Sequence, residues 1–233
     1  MKRKKFLFAV FLFFLSICVI PLSYDYSNVS NYAMAKVNTQ KTVIIDAGHG
    51  GFDGGAVAQD GTMEKNINLN IALAVGDMLS LNGVDVVYTR TQDKGTEDND
   101  EEAIRNRKRS DLNNRLEIMK ENSDAVFVSI HLNKFTTSTA KGAQVFYSGN
   151  FDESKKLGNL IQEAVKKLIQ NENHRVIKKG TADTFLLHKA TVPAVIVECG
   201  FLSNKDELAL LKSKEYQSKM AFAVFCGISD FLG

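Results

Sequence analysis

The chain is poor in cysteine, with 3 in 233 residues. Cys18 falls in an apolar N-terminal run, so Cys199 and Cys226 alone remain for the body of the chain. That excludes a disulfide framework, and two buried free thiols are the expectation. An excess of positive charge is also missing. Four of the 29 basic and one of the 27 acidic residues lie within residues 1–35, which leaves 25 basic against 26 acidic residues, a net charge of −1. The remainder has no global attraction for nucleic acid or for an anionic membrane. No apolar run reaches the ~20 residues that span a bilayer comfortably. Repeats and low-complexity tracts are absent, so solenoid and collagen-like architectures drop out.

What is present fits one globular domain behind a targeting segment. Hydrophobic residues make up 44% and charged residues 24%, and a chain of this length can bury an ordinary core. Lys2 to Lys5 form a basic start, followed by an apolar run from Phe6 to Ile20 and then Pro21. This is the layout of a secretory signal. Ala33-Met34-Ala35 offers a cleavage site far beyond Pro21, so a retained membrane anchor is the alternative. Residues 24–40 lack periodicity. The division taken is a signal peptide or membrane anchor over 1–35, a linker over 36–41 and one catalytic domain over 42–233.

Within that domain, short β-branched runs alternate with helical stripes. Strands are expected at 42–46, 84–89, 125–130, 143–147 and 194–198, with a short one at 185–187. Helices are expected from Thr62, as cap, to about 82, then to about 122, at 152–169, after a Ser203 cap, and at about 214–231. The fold class that follows is α/β: a single layered domain whose mostly parallel or mixed sheet is flanked by helices.

In such sheets, sites gather beyond the carboxyl ends of strands. His49 follows the first strand, His131 the third, and Glu198 ends Ala194-Val195-Ile196-Val197. A hydrolytic zinc takes three protein ligands from histidine and carboxylate and keeps one position open. His49, His131, Glu64 and Glu198 supply such a set, although dispersed ligands are a weak signal by spacing alone. There is no H-E-x-x-H helix. The blander readings are a helix-start carboxylate for Glu64, a structural ion pair for Glu198 and packing for Cys199. Asp46 reads as a brace for the His49 loop or as a turn stabiliser. Arg107, Lys108, Arg109 and Arg115 read as a solvated helix face, with steering of acidic stem peptides as the sharper alternative. His174 and His188 read as structural, His188 with an outside chance of lying near the site.

The stretch from Val43 to Ala56, with Asp46-Ala47-Gly48-His49-Gly50-Gly51 at its heart, resembles the opening motif of zinc-dependent N-acetylmuramoyl-L-alanine amidases. Glu64 matches their second ligand, Ser129-Ile130-His131-Leu132-Asn133 their third-ligand motif, and Val192 to Asn204 their catalytic-glutamate motif. The four motifs fall in family order over residues 42–230. Arg107 to Leu112 with Arg115, and the layout of a signal before a bare catalytic domain, resemble the spore-cortex, CwlD-type members. The resemblance implies a sheet of about six strands and Zn²⁺ held by His49, Glu64 and His131. It implies Glu198 as general base and then acid. The reaction implied is cleavage of the amide between N-acetylmuramic acid and L-alanine, in service of muramic lactam formation in the cortex. Peptidoglycan is then the substrate, a tethering or activating protein a possible partner, and the location outside the membrane, secreted or anchored at the wall. Membrane contact is expected through the N-terminal segment alone. The rivals are another zinc peptidase acting on stem peptides and an inactive or regulatory wall-binding module.

Overall fold

The computed structural model describes residues 41–98 and 103–233. The signal and all of the linker except Lys41 lie outside the described residues. Six strands form one sheet: β1 (Val43–Ala47), β2 (Val86–Tyr88), β3 (Val126–Asn133), β4 (Gln144–Tyr147), β5 (Lys178–Lys179) and β6 (Ala194–Phe201). Their order across the sheet is β2-β1-β3-β6-β4-β5. The strands β2, β1, β3 and β6 run parallel, β4 runs antiparallel to β6, and β5 is parallel to β4. The four parallel strands therefore present their carboxyl ends along one edge.

The helices are α1 (Glu64–Leu81), α2 (Ile104–Glu121), α3 (Asp152–Leu168), α4 (Phe185–Lys189), α5 (Lys205–Lys212) and α6 (Lys214–Leu232). None is long and apolar enough to cross a membrane. All five residues of β1 are buried, as expected of a strand covered on both faces. One cover is α2 with α4, where Leu116, Met119, Leu186 and Leu187 close over Ile44, Phe127 and Ala194. The other holds α1, α3 and α6, where α6 packs against both α1 and α3. In α6 the stripe Ala221, Val224, Phe225 and Ile228 is buried, and each fully buried large apolar side chain contributes about 1.5–3 kcal/mol.

The sequence pattern locates these elements but misplaces several details. The run Phe185–Leu187 is the start of α4, not a strand. Three apolar residues carry no readable period, and burying Leu186 and Leu187 suits either conformation. Thr62 does not cap α1. The N-cap position is Met63 and has no side-chain cap. The preceding loop does that work: the Ala56 and Gly54 carbonyls accept from the amides of Glu64, at 2.9 Å, and Lys65, at 3.3 Å. Asn204 rather than Ser203 caps α5, accepting from the Asp206 and Glu207 amides. The third and last strands run further than expected, so His131 lies within its strand rather than just past it, and Glu198 lies inside its strand rather than at its end. The two-residue β5 escaped notice because Lys178–Lys179 is exposed and has no apolar pattern. Cys199 and Cys226 are free and buried, as expected.

The layer of α1, α3 and α6 tightens to backbone contact at one glycine. A Cβ on Gly227 would lie 2.5 Å from Ile161 Cα, whereas one on Gly158 would meet its nearest neighbour at an ordinary 3.5 Å. In an open helix, replacing glycine by alanine gains roughly 0.5–1 kcal/mol. Gly227→Ala should instead lower stability by about 1–3 kcal/mol through overpacking. Gly158→Ala should leave stability unchanged or raise it. Urea unfolding of the two variants checks the opposite signs.

Candidate active site

The loop after β1 turns back at once. The Gly48 amide donates to the Ile130 carbonyl at 3.1 Å, which lays Gly48 against β3. A Cβ there would lie 2.2 Å from His131 Nε2, so this position has no room for a side chain. His49 follows with φ at 62°, a left-handed conformation that costs a non-glycine residue of order 1–3 kcal/mol. It throws the imidazole over the sheet edge toward Glu64. Gly55, φ 67°, closes the loop where a Cβ would meet Glu64 Oε2 at 2.6 Å.

Two buried arginines hold this loop by its carbonyls. Arg115 of α2 donates to the Ala47 carbonyl at 3.0 Å and the His49 carbonyl at 2.9 Å. Arg90, just past β2, reaches Ala47 at 2.8 Å, Gly48 at 3.1 Å and Lys65 at 2.8 Å. Arg115 is 1% exposed, so the solvated-face expectation fails for it. It pairs with Asp111 at 2.8 Å and with fully buried Asp46. Asp46 also accepts from Thr89 Oγ1 at 2.6 Å and Ser129 Oγ at 2.5 Å. Burial opposes charge on Asp46, but Arg115, Ser129 and Thr89 outweigh it and hold the carboxyl below its usual range. Asp46 thus braces the His49 loop, with Arg115 as intermediary. Lys108 keeps to the solvated-face reading: it is exposed and pairs with Asp53 at 3.0 Å.

Glu64 opens α1 directly beneath His49. Its Oε1 accepts from the Leu132 amide at 2.9 Å and Asn68 Nδ2 at 3.1 Å, and lies 3.0 Å from His131 Nδ1. Its Oε2 accepts from the Ala56 amide at 2.8 Å and sits 3.4 Å from His49 Nε2. Burial works against the charge, yet the two imidazoles keep this carboxyl far below the carboxylate range. His49 Nδ1 meets Asp53 Oδ2 at 2.8 Å. Burial alone would depress the His49 pKa, but Asp53 and Glu64 raise it to about 9. One donor atom each from His49, Glu64 and His131 lies within 4.8 Å of the others. Two imidazoles and one carboxylate at that separation could hold a divalent metal ion such as zinc.

Glu198 stands beside this cluster and outside it. Parallel pairing of β3 with β6 sets His131 against Glu198, so both side chains leave the same face of the sheet. Its Oε2 is buried without a hydrogen-bond partner among the described residues. Burial pushes its pKa up to about 7, with Glu64 adding to the rise and the histidines opposing it. His174 and His188 are exposed and take no part in the cluster.

A family profile described as N-acetylmuramoyl-L-alanine amidase matches residues 43–230. The chain belongs to that family. Over 227 residues this amidase is 32% identical to the germination-specific N-acetylmuramoyl-L-alanine amidase of Bacillus subtilis, covering 97% of this chain and 94% of the relative. Its fold is similar to the CwlD amidase of Clostridioides difficile, solved in complex with the GerS lipoprotein. The TM-score is 0.79 at 41% identity, over 82% of this chain and 98% of that one. The AmiC2 amidase of Nostoc punctiforme gives 0.71 at 30%, over 82% and 97%.

The residues that sequence reasoning missed in this amidase are Arg90 and the burial of Arg115. A signal for Arg115 existed: it stands three residues after Leu112 and four before Met119, on the inward stripe of α2. Removing one partner of a buried pair costs about 3–5 kcal/mol. Asp46→Asn should lose stability of that order at neutral pH. Because the folded pKa of Asp46 is depressed, its stabilisation is complete above the unfolded value of 3.8 and fades as pH falls through the lower folded value. The variant should therefore show a flatter acid limb of stability against pH, which urea titrations across that range would measure.

Proposed function

We propose that this peptidoglycan amidase holds Zn²⁺ through His49, Glu64 and His131 and moves protons with Glu198. The observation that carries this is the three donor atoms within 4.8 Å of one another, with the unpartnered oxygen of Glu198 on the adjoining strand. Bound there, zinc would polarise the amide carbonyl and bring a water's pKa toward neutrality. Glu198 has no hydrogen bond to give up at Oε2, and its pKa near 7 lets it take a proton and return it. It takes that proton from the attacking water and delivers it to the amide nitrogen, which leaves poorly unless protonated. Glu64 cannot share this role, since both of its oxygens are engaged and its charge is fixed. Gly48 and Gly55 keep the rings and Glu64 in contact, and Arg115 and Arg90 hold the loop that carries His49.

The bond cut is the amide between the muramic lactyl group and L-alanine. Likeness to a germination-specific amidase supports work on spore cortex, where stem removal precedes muramic lactam formation. Likeness to an amidase solved with a lipoprotein supports a protein partner that tethers or activates the enzyme. Both support a reading in which the enzyme is exported across the membrane and meets zinc and substrate in the wall or cortex space.

Glu198→Gln should keep fold and stoichiometric zinc while stem release falls ~10²-fold or more, the scale of acid–base groups. His49→Ala and His131→Ala should lose zinc. Elemental analysis beside mass spectrometry of digested peptidoglycan, reading stems that begin at L-alanine, makes the test. Near-normal activity in the Gln variant, or zinc lost along with activity, would sink the assignment of Glu198.

A further inference from the structure

Exposed apolar side chains gather around the candidate centre, with a lysine among them. Val57, Met63 and Phe135 are 39%, 41% and 48% exposed; single exposed apolar residues are ordinary, and Leu81, Ile104, Val176 and Leu210 are exposed elsewhere in the chain, but these three adjoin the centre. Met63 immediately precedes Glu64 and pairs with Val57 in an isolated bridge. Phe135 stacks edge-on against Phe201, with ring centroids 4.9 Å apart. Between these lies Lys134, three residues beyond His131, whose Nζ donates to the Val57 carbonyl at 2.7 Å. The four residues therefore flank Glu64 on one side and His131 on the other.

Lys134 is exposed and, unlike several cations near the centre, has no carboxylate partner; Arg90 shares that lack but is buried on backbone carbonyls. Lys65 faces Asp93, Arg107 faces Glu97, Lys108 faces Asp53 and Lys212 faces Asp60, all at 3.0 Å or less. No carboxylate of the described residues lies within ion-pair distance of Lys134. Its ammonium is held in place by a carbonyl and has two donors left, beside apolar surface that weakens competition from water. This chemistry suits a short peptide with an apolar first residue and an acidic second one.

We propose that Lys134, with Val57, Met63 and Phe135, forms a subsite for the stem peptide. In it the ammonium takes the carboxylate of the glutamyl residue that follows L-alanine. This rests on the amidase reading, and it adds a selection rule: stems whose glutamyl carboxyl is free are cut in preference to stems in which it is an amide. A carboxylate on Lys134 makes a charge-assisted hydrogen bond, whereas a neutral amide offers a weaker acceptor.

The test compares two muropeptides that differ only in that group, a muramyl-L-alanyl-D-glutamate with a free α-carboxylate and its α-amide. The zinc-loaded full chain should favour the acid by roughly 10-fold or more in kcat/KM, a difference typical of hydrogen bonds to charged groups, and mostly through KM. Lys134→Met should bring the ratio toward one, Lys134→Glu should invert it, and Lys134→Arg should restore it. Zinc content and the circular dichroism spectrum report whether each variant is folded and loaded. A wild-type ratio near one, or a ratio that Lys134→Met leaves unmoved, overturns the subsite. Failure of the wild-type enzyme to release a stem from either compound overturns the amidase reading itself.

Discussion

The site depends on the buried contact between Asp46 and Arg115. Two charges at 0% and 1% exposure lose their water, and a buried pair of this kind is a poor source of net stability. Its value here is positional. Every remaining donor of the guanidinium is spent on something the site needs: the carbonyls of Ala47 and His49, and the carboxylate of Asp111. Asp46, meanwhile, ties β1 to β3 through Ser129 and to the segment after β2 through Thr89. The backbone of His49 can then stay left-handed, because its carbonyl is anchored from a helix on the far side of the strand. An apolar pair of equal volume would fill the space and leave that carbonyl without a donor.

From this anchored loop the rest of the centre follows as geometry of parallel strands. The first, third and last strands run together and end at one edge. A residue past the end of one, His49, comes level with a residue within the next, His131, and that one with Glu198. Glu64 enters from beneath as the first residue of a helix whose free amides are capped by the same loop. The two carboxylates meet opposite environments within one pocket. Glu64 is saturated with donors and held ionised, whereas Glu198 is buried with an oxygen unmatched and is pushed to about 7. Pairs of titratable groups driven apart in this way divide a reaction between a fixed charge and a proton carrier.

The sequence made the layered α/β fold and the three histidine and glutamate positions readable, because strong periodicity and dense motifs carry them. The run Val43 to Ile45 and the stripe of α6 admit few other conformations. What it left obscure are matters of contact. Phe185 to Leu187 is too short for a period to declare itself, and the cap of α1 lies in carbonyls of a distant loop that no side-chain rule reports. The basic run from Arg105 to Arg109 hid the different fate of Arg115, since composition invites reading all of them as solvated. Helical spacing separates them, for Leu112, Arg115, Leu116 and Met119 share one face. A buried Asp46 on a strand closed on both sides also calls for a buried cation, and those two facts together point to the pair.

Glu198 shows why the last step from fold to chemistry depends on an unmet demand. A carboxylate following four apolar strand residues is expensive to bury. Asp46 is met by Arg115 and two hydroxyls, Glu207 by the amides of Gly142 and Phe201, and Glu64 by two amides and two rings; Glu97 also keeps one buried oxygen unpartnered, but Arg107 pairs with its other one. Glu198 Oε2 is left without such a partner among the described residues. An unsatisfied group of this kind costs about 1–3 kcal/mol, which a fold devoted to stability alone would have removed by a hydrogen-bond donor or an apolar residue. Such a donor would also fix the proton affinity of the carboxylate and fill the space where a water must stand. The missing partner and the raised pKa are thus one feature: the sheet core leaves Glu198 with an oxygen open to bond the reacting molecules, as the role proposed for it requires.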